Sequence, residues 1–249
     1  MSLKTVINYS PNFNPIKRKA KQIKFIVFHY TGMKNQSDSI RRLTNIQSEV
    51  SSHYLIKNNG EIVTLVPDLY IAWHAGISSW KNFKSLNKNS IGIEINNPGH
   101  SINYKNFSKN QINSVLRLSK FLITKYKIKP QNILGHSDVA PIRKKDPGEK
   151  FPWRYLSKYK IGFWHKLDKT KLIIKRAIKT SDLEKKFFLK NLTNIGYSKN
   201  APRGSDISKT KYLKVITKAF QRRFRPELIN GIIDQECLII SKNLTKKSN

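Results

Sequence analysis

Residues 23–30 read IKFIVFHY, a run unbroken by polar residues from Phe25 to Phe28 that ends on a histidine and a tyrosine. A strand with one wet face alternates apolar and polar residues. An unbroken run suits a strand buried on both faces, in a sheet covered by helices on each side. Other segments fit the same architecture. Residues 52–66, SHYLIKNNGEIVTLV, read as a hairpin that turns at Asn58, Asn59 and Gly60. Residues 90–96, SIGIEIN, alternate, with Ile91, Ile93 and Ile95 on one face and Gly92 and Glu94 on the other. Residues 132–136, NILGH, predict a short strand that delivers His136 at its C-terminal edge.

Helical spacing appears between these strands. Ile40, Leu43, Ile46 and Val50 predict a helix over 38–50. A longer helix is predicted from an N-cap at Ser108 to about Lys127, with Ile112, Val115, Leu116, Leu122, Ile123 and Tyr126 inward and Pro130 beyond its end. Strands alternating with helices up to about residue 160 indicate an α/β domain. The rest differs. Residues 166–180 are lysine-rich and read as a partly helical linker. Three short helices then follow, the first with Leu183, Phe187, Phe188 and Leu192 on one face, the second with Leu213, Ile216, Phe220 and Phe224, and the third starting after Asp234. Gly196 and Gly231 punctuate between them. The predicted division is a catalytic domain over 1–162, a linker over 163–180 and a small three-helix domain over 181–249.

The chain of 249 residues carries 48 Lys and Arg against 15 Asp and Glu, a net charge of +33. That balance favours polyanionic partners such as nucleic acid, anionic lipid or an acidic wall polymer. The lysines are spread along the whole chain with no nucleic-acid motif, so no specific nucleic-acid partner is expected. No apolar run reaches the roughly 20 residues that span a bilayer. The first 30 residues do not read as a secretory signal, because the apolar run is short and no small-residue cleavage site follows. Cys237 is the single cysteine, so no internal disulfide forms, and it reads as a small core residue on a helix.

Of six histidines, His100 and His165 read as structural or surface residues. His29 and His136 each close an apolar strand, and the C-terminal edges of strands are where α/β proteins hold ligands. Asp146 lies a loop away from His136. Two imidazoles and a carboxylate make the ligand set of an open catalytic zinc site, and the paired cysteines of a closed structural site are absent. Amide hydrolysis also needs a proton carrier and a group that steadies the oxyanion. Glu94 and Lys144 are candidates for these tasks. On spacing alone Glu94 also fits a solvated strand residue, and Lys144 one lysine among many.

Five segments in order carry a resemblance: FHYTG (28–32), SSHYLIKNNGEIVTLVPD (51–68), AWHAGISSW (72–80), NSIGIEINNPGH (89–100) and LGHSDVAPIRKKDPGEKFPW (134–153). Together they resemble the zinc-dependent N-acetylmuramoyl-L-alanine amidases of the amidase-2 type, on the AmpD and AmiD branch, over roughly residues 22–160. The resemblance implies a mixed central sheet flanked by helices and one Zn²⁺ held by His29, His136 and Asp146. It implies Glu94 as general base and acid and Lys144 as the group that polarises the scissile carbonyl. His53 and His74 would shape the cleft or support the ligands, and Trp80, Asn82 and Asn87, in a segment resembling a substrate groove, would contact sugar or peptide. The implied substrate is peptidoglycan or its muropeptides, including 1,6-anhydro forms, cut between N-acetylmuramic acid and L-alanine. The implied place is the cell envelope, periplasmic or secreted, with the cytoplasm as the alternative. Residues 217–236 partly resemble the peptidoglycan-binding-domain-1 helical module, with Phe220–Gln221 and a Gly231-to-Asp234 turn. A non-catalytic peptidoglycan-binding protein on the same scaffold is disfavoured, because all three ligand positions are filled.

Overall fold

The computed structural model describes residues 3–202 and 204–246. Its main sheet has six strands, in spatial order Val6–Ile7, Ile62–Thr64, Tyr54–Ile56, Ser90–Ile95, Phe25–Tyr30 and Ile133–Gly135. The hairpin pair Tyr54–Ile56 and Ile62–Thr64 is antiparallel, and the other neighbours are parallel, so the sheet is mixed. The two longest strands lie side by side with His29 opposite Glu94, which puts both side chains on one face.

The two faces are covered differently. Ile26, Phe28, Ile91, Ile93, Ile95 and Ile133 pack under the helix Lys109–Tyr126 through Val115, Leu118 and Leu122. That helix starts as predicted, with a capping box between Ser108 and Gln111. Phe25, Val27 and Leu134 point to the other face. There they join one apolar cluster with Trp80, Leu86 and the C-terminal helices Asp182–Ile195, Lys209–Phe224 and Gln235–Thr245. Phe163 and Leu172, from the stretch between, belong to this cluster too.

Three local expectations are corrected. The helix expected over 38–50 spans Gln36–Thr44, and Ile46 and Val50 lie beyond it. Its C-cap, Asn45, turns the chain and starts a separate 3₁₀ turn by accepting from the Gln47 N–H. His136 is not the end of a strand but the first residue of a one-turn helix, His136–Val139. On the helix Asp182–Ile195 the inward residues are Phe188, Leu192 and Ile195, whereas Leu183 and Phe187 face outward. A stripe read from four residues admits a rotation of about one residue, and the packing surface decides it. Cys237 is fully buried, as read.

Candidate active site

His29 is the fifth residue of its strand, and the sheet register sets Glu94 beside it. His136 arrives from the neighbouring strand through Gly135, where a Cβ would press on Pro147. The loop after His136 returns, and the Ser137 N–H donates to the Asp146 carbonyl at 2.8 Å, holding that residue in place. Three atoms then converge. His29 Nδ1 lies 2.9 Å from His136 Nδ1 and 3.1 Å from Asp146 Oδ2, and His136 Nδ1 lies 3.0 Å from Asp146 Oδ2. All three residues are buried.

The proton positions at this triangle follow from its surroundings. The Leu86 carbonyl can only accept, so Ser90 Oγ donates its one proton there, at 2.7 Å. Ser90 Oγ therefore accepts from His74 Nε2–H, at 3.1 Å. His74 Nδ1 is then an acceptor and takes a proton from His29 Nε2–H, at 3.0 Å. His29 is left with a bare lone pair on Nδ1. On the other side His136 Nε2–H donates to the Ala75 carbonyl at 3.1 Å, which bares its Nδ1 as well. With both rings neutral, two lone pairs and a carboxylate oxygen face one another about 3 Å apart. That arrangement is repulsive unless a cation sits among the three. For bonds of 2.0–2.1 Å a tetrahedral zinc site has ligand–ligand edges of roughly 3.3 Å, so the triangle fits one after a small expansion. These residues could hold a metal; the Ala75 carbonyl behind His136 is a usual partner of a metal-binding histidine, and behind His29 the His74 ring takes that place.

The electrostatics show the same demand for positive charge among the three. Burial, followed by the neighbouring His136, lowers the His29 pKa to about 4, which keeps the ring neutral. His74 is held well below its ordinary value, by burial first and then by His29 and His53. Burial alone would raise Asp146, but His136 and His29 outweigh it, and the carboxylate is held well below its usual range. Glu94 behaves oppositely. Burial, reinforced by Asp146 and opposed by Lys144, raises it to about 8. Its Oε2 is buried with no hydrogen-bond partner among the described residues. All of these groups line one cleft of about 350 Å³, with Lys144 and Lys145 in its wall.

His53 and His74 stand apart from the triangle as supports. Gly92 leaves room for the His74 ring, which a Cβ there would strike, and its N–H donates to His53 Nδ1 at 3.0 Å. Burial and then the Arg18 guanidinium lower the His53 pKa to about 3. Between pH 6.5 and 3 the unfolded chain therefore takes up a proton at this ring that the folded chain refuses. Acidification through that window costs about 1.4 kcal/mol of stability per pH unit at this residue, and above it His53 contributes no pH dependence. Denaturant midpoints should accordingly fall less steeply with acid in His53→Gln than in the parent. Equal slopes would refute the assignment.

Three predicted substrate contacts lie elsewhere. Trp80 is 0% exposed, with its ring centroid 4.8 Å from that of Tyr197, so it meets no ligand here. Asn82 sits exposed at the tip of the small hairpin Ser79–Trp80 and Phe83–Lys84, outside the cleft. Asn87 points inward, and its Oδ1 accepts from the His74 and Ala75 N–H groups at 3.2 and 2.7 Å, setting the backbone of the supporting histidine. Trp80→Ala is expected to cost about 3–5 kcal/mol of stability by leaving a core cavity. The KM of the folded fraction should not move, as a melting curve paired with steady-state kinetics would reveal. Conversely, His100 was expected to be structural or superficial, yet it lines the cleft. It receives a hydrogen bond from Tyr30 Oη (2.9 Å) or donates to it, and Nε2 meets Glu149 at 3.0 Å. Nothing in its local sequence marks it; only the fold brings it there.

Known proteins share this chain's plan. Residues 19–149 match the family model described as N-acetylmuramoyl-L-alanine amidase. The chain is 37% identical to the N-acetylmuramoyl-L-alanine amidase AmiD of Escherichia coli over 238 residues, 91% of this chain and 83% of that protein. It is 41% identical to the 1,6-anhydro-N-acetylmuramyl-L-alanine amidase AmpD of Citrobacter freundii over 42% of this chain and 54% of that protein. Among solved structures, the E. coli AmiD complex with anhydro-N-acetylmuramic acid-L-Ala-D-gamma-Glu-L-Lys aligns with a TM-score of 0.77, covering 91% of this chain and 90% of that one. AmpDH3 of Pseudomonas aeruginosa in complex with anhydromuramic pentapeptide aligns equally well at 31% identity, covering 94% of each. With the match running through the sheet, the cleft and the C-terminal helices alike, the chain belongs to the N-acetylmuramoyl-L-alanine amidase family.

Proposed function

We propose that this chain hydrolyses the amide between N-acetylmuramic acid and L-alanine in peptidoglycan-derived muropeptides, 1,6-anhydro forms included, with Zn²⁺ held by His29, His136 and Asp146. The observation that carries the reading is the triangle of convergent ligand atoms on the cleft floor beside an unpartnered carboxylate. Zinc in such a site supplies Lewis acidity, making water acidic enough to be deprotonated at neutral pH and polarising a carbonyl. Glu94 takes the proton of the attacking water. With its Oε2 buried and free of other partners among the described residues, it is placed to give the proton back, here to the leaving amine. Lys144 faces the negative charge that grows on the carbonyl oxygen as the tetrahedral centre forms. His29 and His136 are oriented through His74 and the Ala75 carbonyl.

The substrate class is supported by the two related structures that hold anhydromuramic peptides. Arg42, Lys144 and Lys145 in the cleft wall suit the carboxylates of a stem peptide. We place the reaction in the cell envelope, where the polymer and a strongly basic protein attract one another. Among the described residues no helix is long and apolar enough to cross a membrane. Mass spectrometry of products from purified anhydro-muropeptides and from intact sacculi tests the proposal. Release of free stem peptides that begin with L-alanine, abolished by chelator and restored by zinc, is the expected result. Cleavage indifferent to chelator would remove zinc from it, and no cleavage with zinc restored would remove the activity.

A further inference from the structure

Behind His136, on the side away from the cleft, lies a buried polar cluster that the hydrolytic chemistry does not use. Asp138 sits two residues after this ligand, 2% exposed. Its Oδ2 accepts from the Gly135 N–H at 2.8 Å, closing the turn where the strand becomes the one-turn helix that starts at His136. The same Oδ2 is paired with Arg223 Nη1, and Oδ1 accepts from Tyr197 Oη at 2.7 Å. Arg223 also donates through Nη2 to the Ile133 carbonyl at 2.9 Å, and its guanidinium lies 4.1 Å from the Trp153 ring centroid. Arg223 comes from the helix Lys209–Phe224, and Tyr197 follows the helix Asp182–Ile195. The C-terminal region therefore grips both sides of the turn that aims His136.

We propose that Asp138, Arg223 and Tyr197 are positioning residues for the metal centre, so that the C-terminal helices are a working part of the hydrolytic site. This rests on the zinc reading above. A buried ion pair is costly unless its remaining bonding capacity is filled. Here both Asp138 oxygens are filled by fixed donors; on Arg223, Nη1 and Nη2 span the turn and the strand while Nε is buried without a hydrogen-bond partner among the described residues, so the pair is held for geometry rather than for stability. Such a cluster specifies one backbone geometry at Gly135–His136. With the His136 Nε2–H fixed on the Ala75 carbonyl, the imidazole has one way to present Nδ1.

The test is zinc affinity in the full-length chain, measured by competition with a chromophoric chelator. Tyr197→Phe and Arg223→Lys act one step further from the ligand than a direct partner of its ring, so each should weaken zinc by up to about 10-fold, the lower end of the loss seen for direct partners. Phe188→Leu, in the bundle core against Phe220, should lower the melting temperature and leave zinc affinity unchanged. Unchanged affinity in Tyr197→Phe and Arg223→Lys, or an equal loss in Phe188→Leu, would overturn the proposal. If Arg223→Lys does not fold, Tyr197→Phe decides alone, since it removes a single hydroxyl. Failure of the unmodified chain to bind zinc is a separate result, and it would overturn the zinc reading and this inference together.

Discussion

Glu94→Gln is expected to keep zinc and lose about 10²- to 10⁴-fold in kcat, the usual contribution of a positioned acid–base group. The amide preserves the shape of the carboxyl and can still meet water, but it neither takes nor returns a proton. A second signature separates this from simple damage. In the metal-free chain, burial raises Glu94 to about 8 from an ordinary 4.5. Between those values the folded chain binds a proton that the unfolded chain releases. Folding stability at this residue therefore falls as pH rises through the window, by about 1.4 kcal/mol per unit. Gln carries no such dependence. The metal-free variant should gain stability over the metal-free parent as pH rises from 4.5 to 8, while its zinc-loaded form stays inactive. Near-normal turnover in the variant would sink the proton-transfer assignment. Parallel stability curves would show instead that Glu94 is not desolvated.

The sequence made the centre of this site legible and left its margins dark, for physical reasons. His29 and Glu94 could be read because a buried strand writes its faces directly into the residue order, and a charged residue on such a strand stands out. Asp146 could be read because it shares a short loop with His136. The direction of the chain from Leu86 through Ser90 and His74 to His29 could not, since it depends on contacts between segments far apart in sequence. The same holds for His100, whose partners Tyr30 and Glu149 lie 70 and 49 residues away. Trp80 was misread for the opposite reason. Its segment resembles one that lines a substrate groove, but the C-terminal helices cover the ring, and only the tertiary packing reveals that cover. The Phe220–Gln221 and Gly231–Asp234 signature describes internal structure. Gln221 holds the Gly231 N–H at 2.8 Å, and Asp234 caps the last helix through the Cys237 N–H at 2.9 Å.

His136→Ala removes one corner of the triangle, and both zinc and turnover should disappear with it. The two remaining donors, His29 Nδ1 and Asp146 Oδ2, make a pair where an open catalytic site uses three protein ligands. The fold itself should survive in the metal-free state. The Ala75 carbonyl, which loses the imidazole, keeps Arg143 Nη2 at 3.0 Å. His29 Nδ1 keeps Asp146 Oδ2 as a partner at 3.1 Å. Stability measured with and without metal therefore distinguishes a lost ligand from a broken core. Zinc at 1,000 times its dissociation constant stabilises the parent by about 4 kcal/mol, through binding to the folded state alone. The variant should show no zinc-dependent shift in its denaturant midpoint. Its metal-free midpoint should stay close to that of the metal-free parent. Stoichiometric zinc in the purified variant, or a midpoint that still rises with zinc, would mean that the cation sits elsewhere and that the triangle is not its seat.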